Sequence, residues 1–454
     1  MGGLNAPFSA VVIRDVGVGP GQSTVQPPAV HYSAPVTVAS RPEKKTARFP
    51  CFDGLRALAA LSVVAVHTSF VSGFTLRSGL GHYTARLEIG VAVFFVISGF
   101  LLYRPFALAH FDGRGASMRG FWTRRLKRII PAYWAAFLIV TYVMHTDKVR
   151  HGWGSLAVYL GFAQIYSPHY VLTGITQAWS LCTEMTFYLA LPLWAWFLGR
   201  QTREAADQLR VEVLGLGGWV AVSLVYRTIV LSAADLRPHR QSPDGIFVTM
   251  PNWLPGYADL FALGMLLAVF SAWTASTGRS SRVLDHPALP WISWAIAGCF
   301  LVAVSDIGLP LKPIVASPLG LSLARQTLYG LFAFFVVAPA VIGPQDRGLI
   351  RRMLQTKPLV FLGSVSYGIY LWHESWILMF LRWTGDRLFT ISFPELLAFV
   401  ALMATVTAAV SYYGVELPII QGRIRVPRRA NPKTLPVPEI QTAAGPVAPA
   451  GAQS

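Results

Sequence analysis

Asp53-Gly54-Leu55-Arg56 opens an apolar run that closes on Val64-Ala65-Val66-His67, so an arginine and a histidine stand eleven positions apart in one would-be membrane helix. At about 100° per residue, eleven steps make roughly three turns. The two side chains share one face, about 16.5 Å apart along the axis. Ionisable side chains within a span are costly and normally face a cavity or a partner. A histidine can take a proton from a hydroxyl near neutral pH, and a guanidinium can hold a phosphate. Glu184, Arg227, His373 and Glu374 fall close to the depth of His67 when each expected span is measured at 1.5 Å per residue. Each has a plainer reading. Glu184 and Arg227, on adjacent antiparallel helices, could neutralise each other, and His373 beside Trp372 could be an interfacial anchor. Tyr367 and Tyr370 are more often packing residues than catalytic ones. No serine or cysteine has the surroundings of an activated nucleophile.

The elements that must position these residues follow from composition. Of 454 residues 54% are hydrophobic and only 13% charged, which excludes an ordinary soluble domain set and points to a polytopic membrane protein. The net charge of +17 is carried by short basic loops between apolar runs, a membrane pattern rather than a nucleic-acid surface. Three cysteines, Cys51, Cys182 and Cys299, give neither a disulfide framework nor a metal-ligand spacing. Spans are expected near 55–75, 88–109, 131–145, 178–198, 213–233, 254–273, 288–305, 321–343, 358–382 and 394–416. Tyr133, Trp134 and Tyr142 read as interfacial anchors of the short third span. The apolar stretch 153–168 is either an eleventh span or a re-entrant piece. With ten spans and the N-terminus inside, most of the 38 Lys and Arg fall on the inner side, which favours the re-entrant reading and both termini cytoplasmic.

The expected fold class is therefore all-α and polytopic, with about ten transmembrane helices around a central cavity. Residues 1–48 read as a disordered cytoplasmic tail without a signal peptide, 49–420 as the membrane domain, and 421–454 as a second tail. That last tail is basic at Arg423, Arg425, Arg428 and Arg429, then rich in Pro and Ala. The inner loop 104–130 carries Arg119, Arg124, Arg125, Lys127 and Arg128 ahead of Pro131. Arg125 and Arg128 are three apart and share a helical face. They could simply meet anionic lipid, or they could cradle a phosphorylated ligand.

At these residues the sequence resembles acyltransferase family 3, the bacterial integral-membrane O-acyltransferases. Five blocks stand in the family's order. Phe52-Asp53-Gly54-Leu55-Arg56 with His67 is followed by Phe94-Phe95-Val96-Ile97-Ser98-Gly99-Phe100 and by Arg125-x-x-Arg128 with Ile129, Pro131, Tyr133 and Trp134. Then come Trp179-Ser180-Leu181, Glu184 and Phe187-Tyr188, and lastly Leu362-Gly363, Ser366-Tyr367 and Tyr370-Leu371-x-His373. The resemblance implies transfer of a short acyl group, acetyl in the first instance, from acyl-CoA to a hydroxyl of a glycan, glycolipid or secreted glycosylated metabolite. It implies a multi-pass protein of the bacterial inner membrane, with no metal and no nucleic-acid partner. By resemblance His67 is the catalytic histidine and Arg56 its partner; in the expected mechanism Glu184 orients the imidazole or stabilises its charged form. Arg125 and Arg128, with Arg124 and Tyr133, are expected at the donor. Trp179, Ser180, Arg227, Tyr367, Tyr370 and His373 are expected at the acceptor. Ala92 and Met185 stand where members often carry carboxylates. No stretch reads as the soluble esterase-like domain that some members append, so acceptor handling is expected in the membrane domain or a separate partner. A rival class is a transporter or lipid flippase using the buried Arg/His/Glu layer as a proton relay.

Overall fold

In hydrocarbon, a backbone without water must bond to itself, and an apolar run of about 20 residues does so as a helix. The computed structural model describes residues 49–113, 120–146, 149–171, 173–201, 203–235, 245–278, 284–311 and 317–422, which are largely helical and hold no strand. The expected tails 1–48 and 423–454 lie outside the described residues, with Arg423, Arg425, Arg428 and Arg429; so does Arg119.

The chain opens with α1 (Cys51–Ser72), the short α2 (Phe74–Arg77) and α3 (Gly81–Thr84), and a 3-10 turn at Leu87–Ile89 that leads into α4 (Gly90–Phe111). Next are α5 (Phe121–Ile139), α6 (Trp153–Leu160), α7 (Trp179–Leu198), α8 (Ala205–Asp235) and α9 (Leu254–Thr277). The second half holds α10 (Leu289–Asp306), α11 (Leu319–Val337), α12 (Leu349–Leu354), α13 (Lys357–Ser364), α14 (Ser366–Thr384), α15 (Phe393–Ser411) and α16 (Leu417–Ile420). Among the described residues, nine helical stretches are long and apolar enough to cross a membrane, namely those built on α1, α4, α5, α7 to α11 and α15.

The ninth expected span, 358–382, is helical but broken. Its chain turns at Val365 between α13 and α14, where Ser366 Oγ donates to the Gly363 carbonyl (2.8 Å). With His373, Glu374 and Arg382, α14 is too polar to qualify by composition, yet it packs between α1 and α15. The stretch 153–168 does not cross: α6 has eight residues, about 12 Å. It is docked by residues read from sequence as interfacial anchors. Tyr133 Oη donates to the Tyr159 carbonyl (3.1 Å) and accepts from Gln164 Nε2 (3.1 Å), while Trp134 Nε1 donates to the Leu160 carbonyl (3.1 Å). Tyr142, by contrast, is exposed.

The third span starts earlier than its apolar core suggests. Arg124 to Arg128, expected in a loop, form the first turns of α5, and Pro131 lies inside that helix. At the centre of the bundle α1 packs against α4 and α12 to α15. Two glycines permit the approach: a Cβ on Gly54 would collide with the Leu354 carbonyl, and one on Gly363 with the Asp53 carbonyl. The three cysteines form no disulfide.

Candidate active site

One cavity, of about 870 Å³, is lined by residues of α1, α4, α5, α7 and α14. Arg56 reaches it from α1, steadied by a bond from Nη1 to Asp53 Oδ1 (3.2 Å). Arg125 and Arg128, one helical turn apart on α5, line it too. Three guanidinium groups thus share the lining with one carboxylate, Glu184, while Asp53 pairs with Arg56 outside it; Glu184 accepts hydrogen bonds from Ser98 Oγ (2.5 Å) and Tyr188 Oη (2.7 Å). That excess of positive charge suits an anion with several oxygens. Tyr367 and Ser180 also line the cavity, and Tyr367 Oη donates to the Ile129 carbonyl (3.1 Å). Tyr370 bounds it, bonded to Ser180 Oγ (2.7 Å) and donating to the Gln177 carbonyl (2.9 Å).

His67 opens onto a different cavity of about 680 Å³, shared with Arg86, Glu88 and Arg325. Its ring meets His373 at 5.0 Å between centroids, and Tyr370 lies 5.9 Å from His373. Hydrogen bonding assigns the protons. His373 Nδ1 faces the Tyr370 carbonyl (2.8 Å), which can only accept, so that nitrogen carries a proton and Nε2 is an acceptor. His373 Nε2 faces His67 Nδ1 (3.0 Å), which also faces the Val63 carbonyl (3.0 Å), so His67 Nδ1 is the donor. His67 Nε2 is left as the basic nitrogen, with Glu374 Oε1 at 3.5 Å. His67, His373 and Glu374 also offer ligand atoms within 4.8 Å of one another, a set that could close on a divalent ion. Doing so would open the His67–His373 hydrogen bond.

The sequence-predicted residues thus divide. Arg56, Arg125, Arg128, Glu184, Ser180, Tyr367 and Tyr370 come together at the first cavity. His67 and His373 meet beyond Tyr370. Glu184, expected to orient His67, bonds Ser98 and Tyr188 instead, and the carboxylate at His67 is Glu374. Arg124 is exposed and Tyr133 is buried against Phe162 and Phe137; neither lines either cavity. Trp179 packs on Phe95 and Tyr257. Arg227 donates to the Gly256 carbonyl (3.0 Å) and lies over Tyr257, away from both cavities. Sequence reasoning gave no role to Glu374, although it follows His373 at the right depth. Gln177, which holds the Tyr370 and Leu371 carbonyls (3.3 and 2.7 Å), carried no signal at all.

Fold and site define a polytopic membrane protein whose central helix serves a cationic cavity at one level and a histidine–carboxylate centre at another. The family model for the acyltransferase domain of family 3 matches residues 49–414, and the chain belongs to that family. It is similar to the peptidoglycan O-acetyltransferase OatA of Listeria monocytogenes, 25% identical over 73% of this chain and 50% of the relative. It is also similar to the acyltransferase MdmB of Streptomyces mycarofaciens, 27% identical over 72% of this chain and 79% of the relative. The O-acetyltransferase OatA of Staphylococcus aureus is 24% identical over 71% of this chain and 50% of the relative. The matched region thus spans half the length of each OatA protein. No solved structure matches.

Proposed function

We propose that this chain is an O-acyltransferase of the bacterial inner membrane that moves a short acyl group, acetyl first, from acyl-CoA to a hydroxyl of a glycan or glycan-bearing acceptor. The observation that carries this reading is α1 itself, which gives Arg56 to one cavity and His67 to another. Arg56, Arg125 and Arg128 would hold the CoA phosphates, with that cavity and both termini facing the cytosol. The thioester would travel about 16.5 Å along α1 to reach His67, past Tyr370. His67 Nε2 takes the proton of the acceptor hydroxyl as its oxygen attacks the thioester carbonyl. The carbon–sulfur bond breaks, and the departing thiolate collects the proton that His67 holds. His373 keeps Nδ1 of His67 committed as a donor, which leaves Nε2 basic.

The name of the Listeria relative, a peptidoglycan O-acetyltransferase, favours a glycan hydroxyl as acceptor. A proton-relay transporter would use the same buried charges but would not consume acyl-CoA. The test uses membranes holding the protein, supplied with labelled acetyl-CoA. Label enters an envelope glycan with the native chain, and His67→Ala, present at the same level in the membrane, transfers none. Full transfer by that variant would remove His67 from the mechanism.

A further inference from the structure

Beyond its histidine, the second cavity has a character that acyl transfer alone does not require. Arg86 lines it with only 4% of its surface exposed. One terminal nitrogen, Nη2, donates to the Leu309 and Pro310 carbonyls (2.9 and 2.8 Å), but its Nε has no partner. Arg325 faces the same space with its side chain one-third exposed, 3.7 Å from Glu88 Oε1, which also accepts from Tyr329 Oη (3.0 Å). Among the residues lining this cavity, two guanidinium groups thus face one carboxylate, while Glu374 lies on the other nitrogen of His67. A buried N–H without an acceptor is costly, and the guanidinium that carries it lines the cavity, where an anion would meet its charge.

Next to this cavity runs an apolar groove of about 760 Å³, lined by α1, α4, α10 and α11 and by the turn before α4. The two spaces are built on the same stripes. On α1, Leu55, Ala59 and Ser62 line the groove, and Val66 and Phe70, at continuing helical spacing, line the cavity. On α11, Phe332 and Val336 line the groove while Arg325, seven residues before Phe332, lines the cavity. Between them Arg86 and Glu88 face the cavity while Leu87 and Ile89 face the groove. Trp294, Ala297 and Leu301 of α10 complete the apolar wall.

We propose that the acceptor is lipid-borne and anionic: its hydrocarbon chain lies in the α1/α10/α11 groove, and its phosphate sits between Arg86 and Arg325, presenting a hydroxyl-bearing head to His67. This rests on the acyl-transfer reading for the role of His67, but the binding it asserts can be measured without any transfer.

The probe is geranylgeranyl phosphate bound by the full chain in nanodiscs, with geranylgeraniol and inorganic phosphate as controls and coenzyme A binding measured in the same samples. The phosphate lipid is expected to bind at least about tenfold more tightly than the alcohol, the worth of one charge-assisted contact. Arg325→Gln should remove that preference while leaving alcohol binding unchanged, and Arg325→Lys should restore part of it. Ala297→Trp, which fills the groove, should weaken both lipids and leave coenzyme A binding intact. Equal binding of lipid phosphate and alcohol would overturn the anion subsite. Inorganic phosphate competing as well as the lipid, or Ala297→Trp without effect, would mean a soluble anion and overturn the lipid half. Retained coenzyme A binding with no lipid-phosphate preference would sink this proposal alone; loss of coenzyme A binding in the native chain would sink the acyl-transfer reading.

Discussion

His373 is the sharpest test of the hydrogen-bond chain. Its Nε2 accepts from His67 Nδ1 at 3.0 Å, and its Nδ1 donates to the Tyr370 carbonyl at 2.8 Å. When His67 takes the acceptor proton on Nε2, the Nδ1–H···Nε2 bond becomes a bond to a cation, worth about 1.5–3 kcal/mol. At about 1.36 kcal/mol per decade that is roughly ten- to a hundredfold in kcat. Two substitutions separate this from simple damage. His373→Asn keeps an amide near the Tyr370 carbonyl but is too short to reach His67. His373→Gln carries a terminal carbonyl out to where Nε2 stood. The assay is labelled acetyl transfer in membranes, normalised to the amount of protein. Expected is a ten- to hundredfold loss of kcat in the Asn variant, recovered in large part by Gln. KM for acetyl-CoA should stay unchanged, because the cavity proposed for the donor is lined by Tyr370 but not by His67 or His373. A wild-type kcat in His373→Asn, or a loss confined to KM, would refute the assignment of protons along this chain.

The cavity proposed for the donor makes the complementary prediction: Arg128→Ala should raise KM for acetyl-CoA about tenfold or more with little change in kcat, and added salt should weaken donor binding further. Chelation tests the other use of the His67 cluster, since the three ligand atoms lie within 4.8 Å. Transfer measured after EDTA treatment should be unchanged, and loss restored by one divalent ion would assign a metal there. Gly54→Ala drives a Cβ into the Leu354 carbonyl and should lower stability by about 1–3 kcal/mol, read as earlier thermal unfolding in detergent; an unchanged transition would mean that α1 and α12 can separate freely.

Much of the architecture was legible because apolar length dominates: every one of the nine qualifying spans coincides with a hydrophobic run. The departures have local reasons. α5 extends back through Arg124–Arg128 because Arg and Lys are good helix formers, and a basic run marks an interface without ending a helix. Pro131 was a natural boundary by its missing N–H, yet it sits within α5, where neighbouring elements can re-satisfy the freed backbone. The break at Val365 left no such sign, since neither Gly363 nor Ser364 nor Ser366 forces a helix to stop.

The site was legible in one coordinate and not in the other two. Counting residues gives depth, and depth correctly grouped His67 with His373 and Glu374. It grouped Glu184 and Arg227 with them equally well, because depth says nothing about which way round the helix a side chain points. His67 and His373 are 306 residues apart, and no periodicity links them. Glu184 turns to Ser98 and Tyr188, and Arg227 to the Gly256 carbonyl. Arg56 and His67 were one face of one helix, which read as one continuous path. They do share that helix, but packing divides the path. Tyr370, held by Ser180 and Gln177, stands between the cavity of Arg56 and the ring of His373. The two residues therefore line two chambers, and on the proposed reading the acyl group has to pass the Tyr370 ring rather than slide along an open channel.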